Sequence, residues 1–178
     1  HEGQPARIVG RRESDLYASI NSFWLPNSRF KSKCQVTSFA GKPGFLPMPQ
    51  RRKKYLQRIN AIHCDLDCYM KGLTSGRVIG ELIDMQYQGK IPRISAIQHS
   101  GRGVWAFWRV RDRDPRFHNR GQKATDRAIW MAELLNKSVQ ERLSHLGADR
   151  QSADLTRIAR IPGSINSKSG ERVDYCLF

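Results

Sequence analysis

Asp65 and Asp67 carry the clearest chemistry in this chain. They sit in Ile62-His63-Cys64-Asp65-Leu66-Asp67-Cys68, an otherwise apolar run that reads as a β-strand. Alternate side chains of a strand point the same way, so His63, Asp65 and Asp67 share one face and Cys64, Leu66 and Cys68 the other. With the second face buried, two carboxylates roughly 7 Å apart along the backbone project together from a rigid platform. Such acids repel one another unless a cation lies between them. Oxygen ligands suit magnesium or manganese, which also hold substrate phosphates. The plainer alternative is an edge strand with two solvated acids.

A second dense stretch runs from Asp154 through Arg157, Arg160, Pro162-Gly163 and Asn166 to Lys168. Arg157 and Arg160 are three residues apart, and Pro162-Gly163 forces a turn that brings Asn166 and Lys168 back toward them. Arginine grips phosphate bidentately and lysine adds a point charge, so the spacing suits a phosphate ligand as well as a basic surface loop.

The charge balance points the same way. The chain has 31 Lys and Arg against 16 Asp and Glu, a net charge of +15, which suits a polyanionic partner. No acid occurs between Asp15 and Asp65, an interval that holds Arg29, Lys31, Lys33, Lys42, the run Arg51-Arg52-Lys53-Lys54, and Arg58. That run is the expected nucleic-acid contact. No apolar stretch approaches the roughly 18 residues of a spanning helix and no signal peptide is evident, which leaves no membrane device. Cys64 and Cys68 would lie roughly 13 Å apart on one strand, too far to share zinc or a disulfide. They read as small core residues, which favours a reducing cytoplasm.

Several elements must position these groups. A short helix is expected over Ser14 to Trp24, a strand around Cys34 to Phe39, and a Gly/Pro loop from Gly41 to Pro49. From Asn60 the pattern becomes regular, with a strand to Cys68 and then a helix capped by Ser75 carrying Val78, Ile79, Leu82 and Ile83. Ile94 to His99 and Val104 to Val110 read as paired strands around the turn Ser100-Gly101-Arg102-Gly103. After a polar loop, Arg111 to Gln122, a long helix runs from about Thr125 to Leu146 with Ile129, Leu134, Leu135, Val139 and Leu143 as its apolar stripe, capped by Gly147. A last strand starts near Val173. This order gives an α+β fold of split βαβ type, as in ferredoxin-like and RNA-recognition-like domains. Residues 1–55 form a basic annex and residues 56–178 the core, and the chain reads as a fragment of a longer protein. Of Trp105 and Trp108, at odd spacing, core packing is the expectation for each, with base stacking the alternative for one of them.

Between Asn60 and Val173 the chain resembles the archaeo-eukaryotic primase superfamily, in particular the replication primase and primase-polymerase domains of plasmids, phages and integrated elements. Asp65-Leu66-Asp67 is similar to the family's first motif and Ser100-Gly101-Arg102-Gly103-Val104-Trp105 to its second. Asp154 followed by Arg160-Ile161-Pro162-Gly163-Ser164-Ile165-Asn166-Ser167-Lys168 is similar to the third. The resemblance implies a nucleotidyltransferase that makes or extends primers on single-stranded DNA. Asp65, Asp67 and Asp154 would hold two Mg2+ or Mn2+ ions, with Asp149 the fallback for the third acid. Ser100, Arg102, Arg157, Arg160, Asn166 and Lys168 would bind the nucleoside triphosphate, and a replicative helicase would be a further partner. Trp105 stands where the family commonly has a phosphate-contacting histidine. Either Arg102, His99 or Arg160 supplies that contact, or catalysis is weakened. The rival readings are a non-catalytic replication initiator of the same fold and a metal-dependent nuclease. A rolling-circle nickase needs a His-x-His pair, which the sequence lacks.

Overall fold

The computed structural model describes residues 17–23, 33–37, 43–47, 52–110 and 124–177, which form an α+β fold. In chain order the strands are β1 (Tyr17–Ser19), β2 (Ser22–Phe23), β3 (Lys33–Thr37), β4 (Pro43–Pro47), β5 (Leu56–Arg58), β6 (Ala61–Leu66), β7 (Ala96–His99), β8 (Val104–Arg109), β9 (Ile158–Arg160) and β10 (Asp174–Leu177). The helices are α1 (Ser75–Tyr87) and α2 (Asp126–Arg142). The central sheet is antiparallel in the order β10-β7-β8-β6.

Alternation along β6 and β8 builds the core. Ile62, Cys64 and Leu66 face inward with Ile97, Val104, Ala106 and Trp108. They meet Val78, Leu82 and Met85 from α1, and Ala128 and Ala132 from α2. Cys68 follows β6 into the same core. The two helices start where a threonine can cap them: Thr74 Oγ1 accepts from Arg77 N at 3.3 Å and Thr125 Oγ1 from Ala128 N at 3.2 Å. The first cap is therefore Thr74 and not Ser75.

Several expectations fail for identifiable reasons. In α2, Leu134 and Leu135 are exposed, and the buried stripe is Ala128, Ala132, Asn136 and Gln140. The amides face inward because backbone groups need them. Asn136 Oδ1 accepts from His63 N at 2.9 Å, its Nδ2 donates to Ala153 O at 2.9 Å, and Gln140 Nε2 donates to Ser152 Oγ at 3.0 Å. The helix also stops at Arg142, where a 3-10 turn, Ser144–Leu146, leads to Gly147 at φ +90°.

The last strand joins the sheet beside β7, whereas the ferredoxin-like pattern would seat it beside β6. The position next to β6 is already taken. Asp67 N donates to Gly147 O and Asp149 N to Asp65 O, both at 2.8 Å, so the chain leaving α2 pairs with the end of that strand.

Toward the N-terminus the described residues of the expected helix Ser14 to Trp24 are the strands β1 and β2, paired antiparallel with β9 and β5. Long-range pairing overrides local helix propensity here. The buried Asn21 ties this segment down, its Oδ1 accepting from Asn60 N at 2.8 Å and its Nδ2 donating to Leu155 O at 3.0 Å. Within the expected Gly/Pro loop, residues 43–47 pair with β3 as β4. The loop from Arg111 to Gln122 lies outside the described residues.

Candidate nucleotide and metal site

The β1–β9 ribbon and the sheet border a cavity of about 710 Å³. The groups around it come from distant parts of the chain: Asp65 from β6, Trp105 from β8, Tyr17 from β1, and Asp154, Arg157 and Arg160 at and before β9. Lys168 completes the lining from the loop beyond. The lining thus combines two carboxylates with three cations.

The acids are crowded. Burial raises the Asp65 carboxyl first, the charges of Asp67 and Asp149 raise it further, and Arg157 and Arg160 offset only part, so it titrates at about 7. Asp67 is also raised, by burial and then by Asp149, against a hydrogen bond from Tyr69 and the charge of Lys168. Asp149, the fallback acid, is held beside Asp65 by the backbone hydrogen bond described above. Gly147 is what permits this approach: a Cβ there would lie 2.8 Å from Asp67 O. Asp154 lines the cavity with Asp65, and its Oδ1 accepts from Thr156 N at 2.8 Å.

Among the cations, Arg157 donates to Gln151 O and Arg160 stacks over the Tyr17 ring at 5.2 Å. The turn between β7 and β8 lies against the 163–170 loop. Asn166 Nδ2 donates to Ser100 O at 2.7 Å, and Ser100 Oγ accepts from Gly103 N at 3.3 Å. Gly101, at φ +92°, leaves no room for a Cβ, which would meet Ser169 Oγ at 2.6 Å. Ser100 and Asn166 are buried and occupied in this clamp, and neither lines the cavity. Arg102 is exposed and stacks on Tyr69 at 5.6 Å, near Asp67.

Of the expected nucleic-acid contacts, Arg51 lies outside the described residues. Arg52 is exposed, Lys54 stacks on Tyr55 at 5.0 Å, and Lys53 pairs with Glu133 at 2.6 Å. The hydrogen bond to Glu133 raises the Lys53 pKa, and the Asp154 charge adds to it, which places Lys53 within electrostatic reach of the cavity wall.

Both tryptophans are buried, at 7% exposure each. Trp108 belongs to the core, but Trp105 lies opposite Asp65 in the β6–β8 register and so shares its face. Tyr17 and Tyr69 are the site residues that motif spacing did not single out for it. For Trp105 the motif position and the odd spacing of the tryptophans were the signals, since that spacing puts one of them on the face of the acids.

Among the described residues, no three His, Cys, Asp or Glu side chains are grouped closely enough to hold a metal ion unaided. The donor set nevertheless fits magnesium or manganese, which take one or two carboxylates and complete their shell with water and substrate phosphates. Asp65 and Asp67 would be those carboxylates, both raised first by burial and then by neighbouring acid charge.

No family model matches the chain. Among solved structures it is similar to the AEP domain of the primase-polymerase of cyanophage S-2L, with 13% identity, a TM-score of 0.49, and coverage of 76% of this chain and 72% of that one. Among curated proteins it is 32% identical over 121 residues to a replication protein of Clostridium perfringens. That alignment covers 68% of this chain and 27% of the relative, so the chain spans about a quarter of that protein's length. No helix among the described residues is long and apolar enough to cross a membrane.

Proposed function

We propose that this chain is a nucleotidyl-transfer domain of the archaeo-eukaryotic primase type, which synthesises or extends primers on single-stranded DNA within a replication protein of a mobile element. The observation that carries the reading is that Asp65, Asp154, Arg157, Arg160 and Lys168 line one and the same cavity. Carboxylates in a phosphate-binding cleft only weaken anion binding unless a cation joins them. The similarity to a replication protein supports the setting.

In this reading Arg157, Arg160 and Lys168 hold the triphosphate and stabilise the charge that grows during transfer. Asp65 and Asp67 hold magnesium or manganese, with Asp149 or Asp154 as the third acid. The bound metal supplies a lowered pKa for the attacking 3′ hydroxyl and neutralisation of the departing pyrophosphate. The clamp between Ser100 and Asn166 keeps the turn and the cationic loop in register, and Arg102 sits on Tyr69 at the edge of the acid cluster. Residues 1–55 act as a basic annex to the catalytic core, residues 56–178, and Arg51 to Lys54 guide the template. A replicative helicase is the partner to seek for the full-length protein.

The test is incubation of the purified chain with single-stranded template, labelled nucleotides and manganese. Incorporation that fails in Asp65→Asn and Asp67→Asn supports the reading. Template binding without any incorporation would favour an initiator domain of the same fold.

A further inference from the structure

The outward face of α2 carries large apolar side chains that take no part in the core. Trp130 is 63% exposed, Leu134 50% and Leu135 42%. At 3.6 residues per turn Leu134 points directly away from the buried stripe Ala128, Ala132, Asn136 and Gln140, and Trp130 lies one turn before it on the same face. A tryptophan and a leucine at i and i+4 on a solvated helix face form the pattern by which one helix docks on another.

The residues around them say what fits. Arg127 and Glu141 lie seven residues either side of Leu134, Trp130 and Ser138 four either side, and all are exposed. A two-fold axis through Leu134 sets a second copy of α2 antiparallel to the first. It brings Arg127 opposite Glu141 of the second copy, and Glu141 opposite Arg127 of that copy. The same axis lays each indole over Ser138 of the other copy, a side chain small enough to receive it, and sets Leu134 on Leu134. One operation thus satisfies both charges twice, as an isologous interface requires, whereas a parallel pairing would set like charges together. We infer that the outward face of α2 is a self-association surface, on which two copies of this chain pair antiparallel across Leu134, with Trp130 as the anchor and the Arg127–Glu141 pairs fixing the register. The surface takes no residue from the cavity, so the inference stands apart from the nucleotide reading. A single helix pair is at the small end of specific interfaces and each chain carries +15, so the dimer is weak and forms when salt screens the repulsion.

Sedimentation equilibrium at physiological salt, from micromolar to near-millimolar chain, tests this. Reducing buffer keeps the exposed Cys176 from cross-linking copies. The wild type should dimerise, and Trp130→Ala should weaken the dimer about thirtyfold or more. Arg127→Glu and Glu141→Arg each set like charges face to face at both pairs and should stay monomeric, whereas an equimolar mixture of the two should dimerise. Both reversals suit the helix dipole, so they keep the fold and the test should Trp130→Ala fold poorly. A chain that is monomeric throughout overturns the inference, and one whose affinity for single-stranded DNA also falls in Trp130→Ala would give this face to nucleic acid instead. A dimer that a folded Trp130→Ala and both reversals leave intact overturns it as well. A dimer lost in either reversal but not regained on mixing overturns the antiparallel register.

Discussion

The two faces of the β6–β8 pair carry the same kinds of residue to opposite ends. On the core face Ile62, Cys64, Leu66 and Trp108 are buried under α1 and α2, with the Trp108 N–H satisfied. On the other face His63, Asp65 and Trp105 are buried or partly buried; His63 Nδ1 has no hydrogen-bond partner among the described residues, and burial followed by the charges of Asp67 and Asp149 pushes the Asp65 carboxyl up to about 7. One face is finished by folding and the other is left for a ligand. Unsatisfied polar groups and crowded acids are destabilising, and on this face they lie beside the cavity that Asp65 and Trp105 line.

The sharpest way to break this comparison is to neutralise the acids. Asp65→Asn or Asp67→Asn should lower nucleotide incorporation by about a hundredfold or more while template affinity is kept or improved. Full incorporation by either variant in a manganese-supported primer assay would remove the metal role from this face.

A change on the core face should act on stability. Leu66→Ala removes a fully buried side chain and should cost about 2 to 5 kcal/mol of unfolding free energy by denaturant titration. A loss below about 1 kcal/mol would show that the core face is loosely packed and the contrast overstated.

Among the cations, Arg160→Ala and Lys168→Ala should raise the Michaelis constant for nucleotide about tenfold or more, in line with roughly 1.5 to 3 kcal/mol for a charged hydrogen bond. Affinity for template, carried by many other cations, should scarcely change. Equal Michaelis constants for all three proteins would mean that the loop does not touch the triphosphate.

The smallest effect is in the pH dependence of stability without metal. Folded Asp65, at about 7 against an ordinary 3.8, holds a proton that the unfolded chain releases, so stability declines as pH rises through that window. Burial lowers His63 from 6.5 to about 4, so the unfolded chain takes up a proton that the folded one refuses, and stability declines as pH falls. Between about 4 and 6.5 the two slopes oppose each other. Asp65→Asn leaves the His63 slope alone. Its melting temperature should rise with pH across this window more steeply than that of wild type, and exceed wild type at pH 8. Parallel curves for the two proteins would place Asp65 in water.

The sequence by itself determined what depends on neighbours along the chain. The inward set Ile62, Cys64 and Leu66, the turn at Gly101 and the loop carrying Arg157, Arg160 and Lys168 follow from strand alternation and local turn chemistry, whereas the strand expected to run to Cys68 ends at Leu66, so that Asp67 lies beyond it at the start of the 3-10 turn Cys68–Lys71. The tertiary structure decided what depends on elements far apart in sequence. Asp149 reaches Asp65 only because the chain leaving α2 pairs with β6, and Tyr17 reaches Arg160 only because β1 pairs with β9. Asn136 and Gln140 turn inward because unpaired backbone and hydroxyl groups await them there, which no hydrophobic stripe can announce. Periodicity tells which residues share a face, as it did for Trp105 and Trp108. Where the helices pack tells which of those faces is buried and which is left open to a ligand.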